Sequence, residues 1–204
     1  MPEQSPERTL SELKADIVII GAGVGGCAAA LAVARAGRSV AMTEETDWIG
    51  GQLTSQAVPP DENKWIETYG GTKTYQEFRN RVRDYYRRNY PLTDEARANA
   101  TLNPGNGGVS ALCHEPRVAL AVLHEMLAPH ISSGRVTLLL EHKPLGADMD
   151  GDRVRSVTVQ DIRNNAEHTL HGKYILDATE CGDLLPLTKT EYVTGAESKA
   201  ETGE

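Results

Sequence analysis

The sequence predicts an α/β fold built on a parallel sheet, and three observations carry that prediction. Residues 16–20, Asp-Ile-Val-Ile-Ile, are a short apolar and β-branched run of the kind buried on both faces of a parallel strand. An alanine-rich stretch over 24–36 follows at once and closes on Gly37, which is the composition of a helix and the residue that suits its left-handed C-terminal cap. Residues 38–43 then supply a second apolar run that ends at Glu44. Strand, helix and strand within the first 44 residues make one βαβ unit.

The rest of the chain extends that unit. Pro59-Pro60, Gly70-Gly71 and Asn103-Pro104-Gly105-Asn106-Gly107-Gly108 mark loops. Between them, Tyr75, Phe78, Val82, Tyr85 and Tyr86 recur at helical spacing and predict a helix over 74–89. Glu115-Pro116 opens a second helix, with Pro116 in its first turn and apolar residues through Leu127. Residues 135–140 form another buried-strand candidate. Asp150-Gly151-Asp152 signals a turn, and the alternation after it, with a strand over 167–170, predicts a small antiparallel β-meander over 152–173. A last buried strand is expected over 173–177. The expected organisation is a flexible leader over 1–14, one domain over 15–190 with a helical insertion over about 55–115, and a polar tail over 191–204.

Composition removes several functions. The chain has 204 residues, with 21 Lys and Arg against 29 Asp and Glu and a formal charge of -8, which argues against a nucleic-acid surface. No run reaches the roughly 18 consecutive apolar residues of a membrane span. The first 14 residues carry no apolar core of a secretory signal. Cys27, Cys113 and Cys181 are too scattered for a metal cluster or a disulfide framework, so reduced thiols, no metal and a cytoplasmic setting are expected.

The chemistry concentrates at Gly21-Ala22-Gly23-Val24-Gly25-Gly26, a G-x-G-x-x-G run set between strand and helix. In such a turn Gly21 permits the tight bend, Gly23 lets the backbone approach a diphosphate, and Gly26 lets the helix pack close to the strand. The helix start offers free N–H groups and partial positive charge. Glu44 stands 18 residues beyond Gly26, close to the ~20 expected for an acid that holds the ribose hydroxyls. Glu45 beside it would repel a 2′-phosphate. The prediction is a Rossmann-like dinucleotide site.

The runs Asp16 to Gly26, Glu44, Trp48-Ile49-Gly50-Gly51-Gln52-Leu53-Thr54-Ser55-Gln56, Cys113-His114-Glu115-Pro116 and Asp177-Ala178-Thr179-Glu180-Cys181-Gly182-Asp183-Leu184-Leu185-Pro186 together resemble FAD-dependent oxidoreductases of the glutathione-reductase-like superfamily, in its heterodisulfide-reductase-A-like branch. The resemblance implies an FAD-binding parallel sheet in which Gly21, Gly23 and Gly26 hold the pyrophosphate and Glu44 the adenosine ribose. It further implies that Gly51 and Gln52 lie along the pyrophosphate-to-ribityl side and that the segment Glu141-His142-Lys143-Pro144 presents backbone to the adenine. Ala178 and Thr179 would form the superfamily's Ala-Thr-Gly-like turn, although Glu180 stands where glycine is common. Because relatives return to the FAD domain after a separate substrate domain, an N-terminal portion of a longer protein is expected.

The expected function is flavin-mediated hydride or electron transfer between a small-molecule substrate and an electron acceptor, with a missing domain or partner chain completing the site. An incomplete or noncatalytic dinucleotide-binding module and an NAD-dependent dehydrogenase are the alternatives. No catalytic residue stands out. Cys113 and His114, adjacent in sequence, do not face each other in helix or strand. Cys181 lies in a glycine-bearing loop near the expected flavin, and His124, His130, His142, His168 and His171 show no metal-ligand spacing. Arg79, Arg81, Arg83, Arg87 and Arg88 are expected as the solvated face of their helix.

Overall fold

The structure is a computed structural model that describes residues 11–203. Strand β1 (Ser11–Ile20) leads through the glycine-rich turn into α1 (Val24–Arg35) and β2 (Val40–Glu44), and a short 3-10 turn follows at Gly51–Leu53. The insertion holds α2 (Lys73–Asn89) and α3 (Asp94–Ala98). Helix α4 (Pro116–Ser132) then returns the chain to β3 (Val136–Leu140), β4 (His142–Asp150), β5 (Arg153–Asp161) and β6 (Glu167–Asp177). Two short helices, α5 (Leu184–Thr188) and α6 (Lys199–Thr202), come last.

All six strands form one sheet in the order β3-β2-β1-β6-β5-β4. The first four are parallel, and β5 and β4 continue the sheet antiparallel. The expected meander is therefore not separate from the main sheet: β6 serves both halves, pairing with β1 along its length and with β5 through residues 167–171.

Alternation along β1 divides the core. Ile19 points to one side with Val40, Met42 and Val136, where α1, α2 and α4 bury Leu31, Phe78, Val82, Leu123 and Leu127 against them. Val18, Ile20 and Ala41 point to the other side and meet Val157, Val159, Leu170 and Leu184. The antiparallel limb thus covers the face that the helices leave bare, and residues 18–20 of β1 and 40–43 of β2 are buried on both faces, as their continuous apolar runs require.

Three boundaries differ from the sequence reading. β1 begins at Ser11 and not at residue 16, because Ser11–Ala15 pair with His168–Gly172; the rest of the expected leader, 1–10, lies outside the described residues. Residues 167–170 and 173–177 are one strand, carried through Gly172, where a side chain would press on Val18. β4 was not expected, since Pro144 and Gly146 oppose a strand; it sits at the sheet edge, where proline costs no ladder bond, and the register shifts there. The tail expected over 191–204 contains α6, opened by a reciprocal Ser198–Glu201 capping box.

The arginines of α2 divide in two. Arg81, Arg87 and Arg88 pair near the surface with Glu77, Glu125 and Asp84. Arg79 and Arg83, by contrast, are buried one turn apart beside Phe78 and Val82. The Arg79 side chain is 0% exposed and bonds Glu62 at 2.7 Å and Glu67 at 2.5 Å. Arg83 bonds Glu67 at 2.6 Å and the Leu102 carbonyl at 2.9 Å. Tyr75 Oη donates to the same Glu62. These ions tie the loops around 62–67 and 102 to α2; apolar periodicity alone gives no sign of such partners.

Two consequences are measurable. Arg79→Met leaves Glu62 buried without its cation and should cost about 3–5 kcal/mol in urea unfolding. The hydrogen bond from Arg79 holds the Glu67 carboxyl down to about 2, against burial that would raise it. Because its folded value lies below the unfolded one near 4.5, its stabilisation is complete above pH 4.5 and is lost as pH falls towards 2. Urea midpoints between pH 5 and 2 should decline less steeply for Glu67→Gln than for the wild type.

Candidate dinucleotide site

The site begins where β1 ends. Gly21 turns with φ +97° while its N–H still bonds the Thr43 carbonyl of β2 at 3.2 Å. A Cβ at Gly21 would overlap the Ala178 carbonyl, and one at Gly26 would overlap the Gly21 carbonyl. These two glycines are demanded by backbone packing on backbone. Gly23 differs: a Cβ there would meet only a side-chain oxygen, Oε1 of Glu180, at 2.9 Å. Gly23 is also the N-cap of α1 and gives that helix no side-chain cap. The start of α1 therefore turns its uncapped backbone donors and positive end towards the cleft, with Glu180 the nearest side chain over Gly23.

Gly50 and Gly51 form the opposite wall. The Gly50 N–H bonds the Ala22 carbonyl at 2.8 Å, which fixes the 3-10 turn against the glycine-rich turn. Gly51 comes so near that a Cβ on it would lie 3.2 Å from Gly23 Cα and 2.6 Å from Glu180 Oε1. The floor is the end of β6. Ala178 N–H bonds the Ile20 carbonyl at 2.7 Å, and Asp177 accepts from the N–H groups of Thr179 and Leu184.

Glu44 closes the far end and is already engaged. Its Oε2 accepts the Ala22 N–H at 3.0 Å, and its Oε1 accepts the Thr46 N–H at 3.0 Å and can take the Thr46 hydroxyl at 2.9 Å. A carboxylate oxygen has two lone pairs, so Oε2 retains one. The Thr46 hydroxyl has a second acceptor, the Trp48 carbonyl at 2.9 Å, and only one proton to give. When that proton turns to Trp48, Oε1 also regains a lone pair. Both carboxylate oxygens of Glu44 can then accept a further hydrogen bond without releasing the glycine-rich turn.

These elements enclose a cleft of about 510 Å³, lined also by Ser55, Gln56, His142, Pro144, Cys181 and Asp183. Its charged lining is Glu44, Glu45, Glu180 and Asp183, and among the described residues no lysine or arginine lines it. An anion there has to be held by backbone N–H groups and the helix end. His142 is 5% exposed, and its Nδ1 lies 2.6 Å from the Leu140 carbonyl. A carbonyl only accepts, so Nδ1 carries a proton.

The structure brings Gly21, Gly23, Glu44, Gly51, Ala178 and Thr179 together on this cleft. Gly26 sits behind it as a packing residue. Gln52 lies on the flank, in a shallow recess with Val24 and Gly25. Lys143 is not in the lining; strand alternation puts its neighbours His142 and Pro144 there. Thr46, Gln56, His142, Glu180 and Asp183 were not assigned to the site by the sequence, although Gln56, Glu180 and Asp183 lie in the runs that carried the resemblance.

The cysteines separate by place. Cys27 is buried beneath the turn, its thiol 3.2 Å from the Ala22 carbonyl; burial first, then the Glu44 charge, push it up to about 12. Cys113 and His114 line a different groove with Tyr86, Tyr90 and Glu115. Cys181 is exposed on the cleft.

A family model described as FAD dependent oxidoreductase matches residues 16–204. The chain belongs to that family. A FAD-dependent monooxygenase from Arthrinium sp, atnJ, is 43% identical over 54 residues, 26% of this chain and 13% of its own length. Another from Nectria sp, ntnJ, is 33% identical over 66 residues, covering 32% of this chain and 16% of its own length. The matches thus span about a sixth or less of these curated relatives. Among solved structures, the glycerol-3-phosphate dehydrogenase from Bacillus halodurans complexed with FAD superposes with a TM-score of 0.52 at 16% identity, over 89% of this chain and 37% of that one. The last likeness is one of fold.

A thiol reagent at pH 8 should modify Cys181 at once and Cys27 only on unfolding, since the thiolate is the reactive form. Added FAD should slow the reaction of Cys181. Unchanged labelling in the presence of bound FAD would remove Cys181 from the cofactor's surroundings.

Proposed function

We propose that this chain supplies the dinucleotide-binding part of an FAD-dependent oxidoreductase that acts on a small-molecule substrate and passes electrons to an acceptor. One observation carries the reading: the uncapped start of α1, faced by Gly23 and Gly51, opens onto a cleft that ends at Glu44. The residues fit the group. The α1 N–H groups meet the diphosphate, Glu44 takes the ribose hydroxyls once Thr46 turns aside, and Glu45 disfavours a 2′-phosphate. His142 and Pro144 border the adenine end. FAD, when bound, supplies the hydride and electron chemistry, and the protein's share is binding, orientation and electrostatics.

Family membership supports the cofactor. The Gly50-Gly51-Gln52 and Asp177–Pro186 runs support placement in the heterodisulfide-reductase-A-like branch, since one forms the wall of the cleft and the other its floor. A missing domain or partner chain would complete the substrate side.

Titration with FAD, followed by flavin fluorescence and absorbance, tests the reading directly. Glu44→Gln should weaken FAD and ADP by about tenfold, the loss of one charge-assisted hydrogen bond. Riboflavin, which has no adenosine, should be indifferent to that substitution. Equal FAD affinity in the two proteins would sink the ribose assignment.

A further inference from the structure

We propose that Glu180 sets how tightly this site takes a diphosphate, because its carboxylate lies over the glycine faces at the start of α1 where the diphosphate would run. The inference rests on the FAD reading and deepens it. Glu180 Oε1 lies over the bare faces of both Gly23 and Gly51, the two surfaces that lack side chains on the cleft side. That is the place where a G-x-G-x-x-G turn lets phosphate oxygens approach the backbone. A carboxylate and a phosphate seek the same thing there, N–H donors and the positive end of a helix. Both cannot hold the seat together.

The surroundings make the competition uneven to relieve. Glu44, Glu45 and Asp183 share the cleft, His142 is the one basic side chain in its described lining, and no lysine or arginine stands by to neutralise a second anion. A diphosphate arriving beside an ionised Glu180 meets direct like-charge repulsion, so the side chain has to swing out first.

The turn that carries Glu180 is built for such a swing. Asp177 accepts from the Thr179 and Leu184 N–H groups, and the Thr179 hydroxyl oxygen accepts the Asp183 N–H at 2.7 Å. The backbone on both sides is thereby pinned. The Glu180 side chain makes no hydrogen bond or ion pair among the described residues, and the residue is exposed. It leaves the seat by rotating its own bonds, with the floor of the cleft in place. The residue is thus a specificity determinant for the cofactor's diphosphate and takes no part in electron transfer.

The test is calorimetric titration of the wild-type chain, Glu180→Gln and Glu180→Ala with FAD, ADP and adenosine, each protein first matched for urea midpoint. Removing one charge from the seat should tighten FAD and ADP about five- to tenfold in both variants and leave adenosine, which has no phosphate, unchanged. Wild-type affinity or weaker binding of FAD and ADP in both variants would overturn the proposal while leaving the FAD reading intact; weaker binding would mean that the carboxylate holds the dinucleotide. An equal gain for adenosine would also overturn it, since steric relief and not charge would then be responsible. If no protein in the set binds FAD or ADP, the FAD reading itself fails and this inference fails with it.

Discussion

The molecule depends on one close approach of backbone to backbone. The end of β6 lies against the turn between β1 and α1, so tightly that Gly21 has no room for a side chain beneath Ala178 and Gly26 none above Gly21. That contact joins the first strand to the last, places the start of α1 at the edge of the sheet, and makes the floor and one wall of the cleft from segments more than 150 residues apart. Hydrogen bonds continue it: Ala178 to Ile20, Gly21 to Thr43, Gly50 to Ala22. Each satisfies a backbone group that would otherwise be buried without a partner and fixes the shape of the turn.

Charge is handled differently in the two halves of the chain. In the insertion, Arg79 and Arg83 are sunk beside α2 and matched by Glu62 and Glu67, so the helix buries ions without leaving any unpaired. At the cleft, carboxylates gather with no basic side chain but His142 among the described residues, and the balancing field comes from the start of a helix and from N–H groups. The insertion's ions organise loops. The acids of the cleft instead line an open face, although Glu44 also organises backbone by clamping Ala22 and Thr46.

Much of this could be read along the chain. The βαβ unit, the two long helices and the third parallel strand are local patterns of apolar spacing, alanine content and glycine punctuation, and they appear where those patterns lie. Gly23 and Glu44, which the structure brings to one cleft, could be marked because the glycine run sits at the helix start and the acid ends the next strand. The edge strand β4 was not, since Pro144 and Gly146 are tolerated only where no neighbour needs a hydrogen bond, and being an edge is a property of the assembled sheet. Lys143 is absent from the lining for a related reason: strand alternation decides which of 142, 143 and 144 faces inward, and a segment does not declare its face until it is paired.

Sequence by itself determined the elements whose cause is local: a buried strand, an alanine helix, a glycine turn that exposes backbone donors, and an acid at the end of the next strand. Tertiary structure alone decided that Glu180 would lie over Gly23 and Gly51, that Thr46 would share a proton between Glu44 and Trp48, and that two arginines of α2 would be buried. The physical reason is range. Backbone preferences and periodicity act within a few residues, whereas charge pairing, lone-pair occupancy and close approach are settled only when distant segments arrive in the same few ångströms.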